Sequence, residues 1–232
     1  MISTQTITSL GYDDIPRLMS LMTGDEKHSV AATSTLDVIW TLYDRVLAVG
    51  PDRVDDPTRD RFLLSKGHGP MAYYAVLVAR GFIPPEVLRG FAGHDSILGH
   101  HPDATLIPGV EIGSGSLGHG LPIGVGLALG LRAQANPARV VVLIGDGELD
   151  EGSNHEAIAI AARYGLDSLT VAVIDNVSAT QGWPGGIQER FAVEDWATTR
   201  VNGRDHDAIA AGFATPHTGR PLAVVALVER RR

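Results

Sequence analysis

Two oxygen-bearing side chains, Asp146 and Asn176, stand thirty residues apart, and each closes an apolar run. Val140–Ile144 leads straight into Gly145-Asp146-Gly147, and Ser-Leu-Thr-Val-Ala-Val-Ile-Asp, 168–175, leads into Asn176. A carboxylate and an amide oxygen are hard donors that suit Mg²⁺ or Ca²⁺, and Mg²⁺ ordinarily completes its shell with phosphate oxygens and water. A diphosphate carries more negative charge than one divalent ion cancels, so one carboxylate and one neutral amide add little repulsion. Gly147 lets its backbone N–H approach a phosphate closely. A bare Gly-Asp-Gly could equally be a strand-ending turn with a solvated Asp. Imidazoles supply a second chemistry. His68, in Ser65-Lys66-Gly67-His68-Gly69, has glycines on both sides that expose its ring, and histidine titrates where proton transfer at neutral pH is useful. His28 and the adjacent pair His100-His101 also fall in loops. Neighbouring histidines point different ways, so one in the site and one solvated is expected rather than a shared metal.

The elements that must position these groups follow from periodicity. Val140–Ile144 reads as a short buried parallel strand. The Gly-Asp-Gly turn is expected to use residues that tolerate positive φ. A helix follows from about Gly152 to Tyr164, with Ala157, Ile160, Ala161 and Tyr164 as its apolar face and Gly165 as its C-cap glycine. The strand 168–175 completes one β-α-β unit, and open parallel sheets bind ligands at the carboxyl ends of their strands. Around this unit the pattern predicts helices over Ser34–Val49 (Leu36, Ile39, Trp40, Tyr43 and Val46 on one face), Met71–Arg80, Pro84–Gly93, Leu121–Gln134 and Ala208–Phe213. It predicts strands over Phe62–Ser65 and Pro221–Glu229. The fold class is α/β, a mostly parallel sheet with helices on both faces, in one domain over residues 1–232.

Composition narrows the function classes. The 232 residues fit one large α/β domain, and 44% apolar content is ample for its core. A net charge of −8 argues against a nucleic-acid surface. With no cysteine there is no disulfide framework and no thiol catalysis, which fits a cytoplasmic protein. There is no apolar run of about eighteen residues, so no membrane span is expected, and no signal peptide is evident. Gly113-Ser-Gly115-Ser-Leu-Gly118 matches G-x-G-x-x-G literally, but no sound strand precedes it. The residue twenty positions after Gly118 is Ala138, not an acid, so a dinucleotide site is rejected.

Gly145-Asp146-Gly147 with Asn176 resembles the thiamine diphosphate motif, and Glu151-Gly152-x-x-x-Glu156-Ala157 makes the chain similar to the transketolase family. The resemblance implies that Asp146, Asn176 and the backbone carbonyl of Ser178 hold a metal, Mg²⁺ or Ca²⁺, which holds the diphosphate of thiamine diphosphate. It implies that Gly145 and Gly147 line that diphosphate, and that Glu151 and Glu156 join a carboxylate network at a dimer interface. On residue types alone, Glu151 is equally a favourable charge on a helix dipole. Gly115-Ser-Leu117-Gly-His119-Gly resembles the family's Gly-Pro-Leu-Gly-Gln-Gly loop, so Gly115, Leu117 and His119 are assigned to the cofactor's pyrimidine. The Ser-Lys-Gly-His string and the Gly-His-His-Pro segment place His68 and His101 at the substrate. His28 corresponds to a further substrate histidine, although its flanking glycines are missing. Thr180-Gln181-Gly182-Trp183-Pro184 departs from the family's sequence, so Trp183 either lines a changed channel or anchors an exposed loop.

The resemblance covers the first domain of the family only. The family's glutamate that activates the cofactor lies in a second, pyrimidine-binding domain. The expectation is therefore the amino-terminal subunit of a split transketolase, inactive alone and joined to a carboxy-terminal, pyrimidine-binding subunit in a heterotetramer. It would move a two-carbon ketol unit between sugar phosphates. The alternatives are a component of a decarboxylating thiamine enzyme, of the deoxyxylulose phosphate synthase or 2-oxoacid dehydrogenase kind, or a non-catalytic cofactor-binding partner.

Overall fold

The computed structural model describes residues 10–23, 29–67, 69–179 and 182–229. Five strands form one sheet: β1 (Arg61–Leu64), β2 (Val140–Gly145), β3 (Leu169–Asp175), β4 (Ala197–Asn202) and β5 (Leu222–Leu227). Their order is β1-β2-β3-β5-β4, and every pairing is parallel. β2 and β5 are buried along nearly their whole length, as strands covered on both faces must be.

Alternation along the strands sorts the core into two layers. Phe62, Leu64, Val141, Leu143, Ile174 and Val224 face the layer of α1 (Ile15–Met19), α2 (Ser29–Thr41), α3 (Met71–Ala79) and α7 (His206–Phe213). Leu63, Val140, Val142, Ile144, Val171 and Val225 face that of α4 (Gly120–Ala133), α5 (Gly152–Arg163) and α6 (Ile187–Ala192). This is the α/β fold with helices on both faces that the periodicity predicts. The Gly-rich sequence of α4 serves close packing, since a Cβ on Gly124 would sit 2.5 Å from Val142 Cγ2. Trp40 and Tyr43 are core residues, 5% and 4% exposed.

Several local expectations need correction. The buried face of α5 is Asn154, Ala157, Ile158 and Ala161, while Ile160 and Tyr164 are 43% and 52% exposed. Both sets satisfy the i, i+3, i+4, i+7 spacing; a buried polar Asn154 disguised the true one. Gly145, Asp146 and Gly147 do not use positive φ; Asp146 is right-handed helical and begins a 3₁₀ turn over Gly147–Asp150. The predicted helix over Pro84–Gly93 is a 3₁₀ segment, Pro85–Gly90. α2 begins five residues earlier than predicted and relaxes into a π turn over Leu42–Val46, where Leu47 N–H donates to Leu42 O at 2.8 Å. Gly165 does close α5, with φ +55 and Leu166 N–H returning to Ala161 O. Among the described residues no helix is long and apolar enough to cross a membrane.

Candidate functional site

Strands β1, β2 and β3 are adjacent and parallel, so their carboxyl ends bring Ser65–Gly67, Gly145–Gly147 and Asn176–Ser178 to one edge. Asp146 is 2% exposed and Asn176 8%. The Asp146 carboxylate accepts four hydrogen bonds: Gly147 N–H at 2.8 Å and Ser178 Oγ–H at 2.5 Å on Oδ1, Ser178 N–H at 2.6 Å and Ala179 N–H at 3.2 Å on Oδ2. Val177, between the two expected ligands, has φ +56, an unusual conformation for a β-branched residue. That backbone turn aims the Ser178 and Ala179 amides at Asp146. The Asn176 Oδ1 is buried and has no partner among the described residues. Leaving such an acceptor unmet costs about 1–3 kcal/mol, and a cation would satisfy it. The donor set, one carboxylate and one orphan amide oxygen, therefore fits a hard divalent ion that takes its remaining ligands elsewhere. No group of three or more His, Cys, Asp or Glu converges among the described residues.

Three loops interlock beside this pair at distances only glycine permits. A Cβ on Gly67 would lie 2.6 Å from Gly115 N, and one on Gly120 would lie 2.2 Å from Ser65 Cβ. One on Gly118, which has φ +80, would lie 2.6 Å from Ser153 Oγ and 2.7 Å from Glu151 Cβ. Under them lies Glu148, 2% exposed. Its Oε1 accepts from Ser65 Oγ and from Gly118 N–H at 2.9 Å, and its Oε2 accepts from Gly145 N–H at 3.3 Å. Burial pushes the Glu148 carboxyl above the ordinary range, against the downward pull of Ser65, the two amides and the Lys66 charge. Lys66 is also buried; its chain crosses Gly145 and its Nζ lies 3.4 Å from Ser34 Oγ.

The histidines separate as their chemistry requires. His101 Nδ1 is 2.9 Å from Gly67 O. A carbonyl only accepts, so Nδ1 carries a proton and donates to it, which fixes the orientation of the ring. The ring lies on Gly115, where a Cβ would meet its Cγ and Cδ2 at 3.0 Å. His100 is turned away, exposed against Phe91. His119 is exposed at the start of α4, 3.4 Å from Ser116 Oγ. Leu117 is half-buried, and Glu151 is exposed at the N-cap of α5. His28 and His68 lie outside the described residues. Trp183 sits against His155, with ring centroids 4.9 Å apart, and under the Arg190 guanidinium at 5.3 Å.

Sequence reasoning thus missed Glu148, Ser65 and Lys66. Ser65 and Lys66 belong to the string that flagged His68, and Glu148 follows directly on the metal turn. A single sequence does not distinguish a buried carboxylate from the acidic first turn of a helix.

Comparisons with known proteins identify a family. Residues 6–226 match the family described as "Transketolase, thiamine diphosphate binding domain". The chain is 58% identical over 228 residues to "Ferredoxin fas2" of Rhodococcoides fascians, covering 98% of this chain and 75% of that protein. It is 44% identical over 144 residues to one subunit of the apulose-4-phosphate transketolase of Actinobacillus succinogenes, covering 62% of this chain and 52% of that one. A crystal structure of Pichia stipitis transketolase (mutant H261F) superposes with a TM-score of 0.80 at 27% identity, over 93% of this chain and 36% of that chain. The chain therefore spans about a third of the solved enzyme and about half of the A. succinogenes relative.

Proposed function

This chain belongs to the transketolase family, as its thiamine diphosphate-binding domain, and on that premise we propose that it is the diphosphate-binding subunit of a ketol-transferring enzyme completed by a separate pyrimidine-binding chain. The observation that carries the reading is the buried Asn176 Oδ1, without a partner among the described residues, beside the Asp146 carboxylate at adjacent strand ends. In this reading Asp146, Asn176 and the Ser178 carbonyl hold Mg²⁺ or Ca²⁺, and Gly145 and Gly147 admit the diphosphate. Gly115, Leu117 and His119 support the pyrimidine. When bound, thiamine diphosphate supplies the carbanion chemistry that breaks and remakes a carbon–carbon bond. The chain's own residues bind and orient. His101, its Nδ1 tied to the Gly67 carbonyl, presents Nε2 as a group that takes or gives a proton at a substrate hydroxyl or carbonyl oxygen. His68 and His28 are assigned to the same task.

Two observations support a second chain. The A. succinogenes relative is named as one subunit of its transketolase. The outer face of α4 is also wholly apolar, with Pro122, Ile123, Gly126, Leu127, Leu129 and Gly130 at least partly exposed and no charge before Arg132. A helix apolar all round belongs in a buried setting. A heterotetramer in the cytoplasm, acting on sugar phosphates, follows from the family resemblance. The ferredoxin name of the R. fascians relative is not carried over. Iron–sulfur clusters are held by Cys thiolates, and this chain has none.

The test is to isolate the chain with its partners from its host and assay Mg²⁺- and thiamine diphosphate-dependent ketol transfer between sugar phosphates. Activity that requires a co-purifying chain is expected. Activity of this chain alone would overturn the split assignment, and a complex that binds no cofactor would overturn the site.

A further inference from the structure

Glu148 has no role in the metal pair or the histidine set, yet it is among the most enclosed charged groups described. Its carboxylate collects hydrogen bonds from three separate segments: the end of β1 through Ser65 Oγ, the end of β2 through Gly145 N–H, and the loop before α4 through Gly118 N–H. Ser65 Oγ extends the contact by accepting Gly120 N–H at 2.9 Å. The backbone of Glu148 is held as well, since Asn154 Nδ2 donates to its carbonyl at 2.6 Å from the first turn of α5. Ser153 Oγ meets the Gly118 carbonyl at 2.7 Å from the same turn. Gly145 belongs to the turn that carries Asp146, and Gly115–Gly118 form the loop set against His101. One buried side chain therefore spans the two halves of the edge.

We infer that Glu148 is a positioning residue that fixes the 115–120 loop against the 145–147 turn, so that one rigid span holds both ends of a cofactor. The inference rests on reading this edge as a thiamine diphosphate site. Its requirement for glycine at 118 and 120 is steric and its requirement for an acid at 148 is one of acceptor count. Three donors converge on two oxygens, and a carboxylate alone offers no competing donor. Glutamine supplies one acceptor oxygen and turns an NH₂ toward an amide N–H, losing one of the three links. Alanine loses all of them.

The experiment uses the full chain with its co-purifying partner, Glu148→Gln, Glu148→Ala and, as an independent cut, Ser65→Ala. Amide hydrogen exchange at Gly118, Gly120 and Gly145 is read without cofactor, and affinity for Mg²⁺–thiamine diphosphate is read by calorimetry. Glu148→Gln is expected to speed exchange at Gly145 or Gly118 and to weaken cofactor binding about 10–100-fold, the range seen when an outer-shell partner of a bound group is lost. Glu148→Ala, if it folds, weakens binding further, and Ser65→Ala speeds exchange at Gly120. Wild-type affinity in Glu148→Gln overturns the positioning role even if exchange rises, because Glu148 is then a structural group only. Unchanged exchange in both Glu148→Gln and Ser65→Ala overturns the clamp itself. A wild-type complex that binds no thiamine diphosphate overturns the reading of the site, a different failure from either.

Discussion

Asn176→Ala separates a ligand from a structural amide by the sign of two effects. In the cofactor-free chain Asn176 Oδ1 is buried without a described partner, and an unmet acceptor of this kind costs about 1–3 kcal/mol. Removing it relieves that cost, while the smaller side chain gives back part of the gain in lost packing. The cofactor-free variant is therefore expected to be as stable as wild type, or up to about 1 kcal/mol more stable. Binding moves the other way. Losing an outer-shell partner of a metal typically costs about 10–100-fold in affinity, and a direct ligand costs at least as much. At a cofactor concentration of about 100 Kd the wild-type complex gains roughly 2.7 kcal/mol. At about 2–4 °C per kcal/mol for a domain of this size, that is a rise in Tm of about 5–11 °C. Thermal melts of both proteins, with and without Mg²⁺–thiamine diphosphate, read both effects at once. The expected result is a rise in Asn176→Ala cut to about half the wild-type rise or less, from an equal or higher starting Tm. A variant that starts clearly lower and still rises by the wild-type amount would show that Asn176 is a structural amide, and the reasoning would fail.

Gly115→Ala places a methyl 3.0 Å from the His101 ring at φ +120. It should cost more than about 1 kcal/mol in urea unfolding and weaken cofactor binding as well; a neutral result would mean the loop relaxes freely. Asp60 lies at the opposite, amino edge of the sheet and accepts from Ala48 N–H and from Arg139. Burial alone would raise its carboxyl, but Arg139 and the two amides outweigh that and hold it below the usual range. Its stabilisation is thus present above the unfolded carboxyl pKa of about 3.9 and lost as pH falls through the lower folded value. Urea midpoints of wild type should drop below about pH 4 more steeply than those of Asp60→Asn, with cofactor affinity unchanged at neutral pH. Ile123→Asp with Ile160→Asp replaces two exposed apolar residues. The chain's own stability should stay within about 0.5 kcal/mol while gel filtration shows loss of the partner; retained assembly would place the partner elsewhere.

What was legible in the sequence was what periodicity and chemical type encode. The β2–α5–β3 unit and the convergence of Asp146 and Asn176 followed from apolar runs that end on polar residues. That His100 and His101 point different ways followed from adjacency, whereas the choice of His101 for the site rested on the family's Gly-His-Pro segment. What was hidden depended on long-range burial. Asn154 reads as a polar position, so the inward face of α5 was placed one step round, and two exposed apolar residues were counted as core. Glu148 reads as an acidic helix start, yet it lies at the junction of segments 83 and 30 residues away in sequence. Val177 gives no local sign that its backbone is left-handed, because nothing about a valine favours that conformation.

The Asp146 hydrogen bonds show how such a site stays folded before it is filled. A buried carboxylate without partners would be costly. Here two backbone amides and a hydroxyl from 178–179, with the Gly147 amide, meet it in full. A carboxylate offers about four lone-pair sites, and all four are used. A cation that takes Asp146 as a ligand must therefore displace at least one of these donors, and Ser178 Oγ–H is the one that a side-chain rotation alone can remove. Asn176 requires no such exchange, since its oxygen starts without a described partner. The two expected ligands thus contribute unequally: Asp146 exchanges hydrogen bonds for a cation, whereas Asn176 gains a partner outright. On this account Ser178→Ala strengthens cation binding and lowers the stability of the cofactor-free chain, the reverse of a ligand loss. Calorimetry with Mg²⁺–thiamine diphosphate that found weaker binding in Ser178→Ala would instead give the hydroxyl a direct part in holding the ligand.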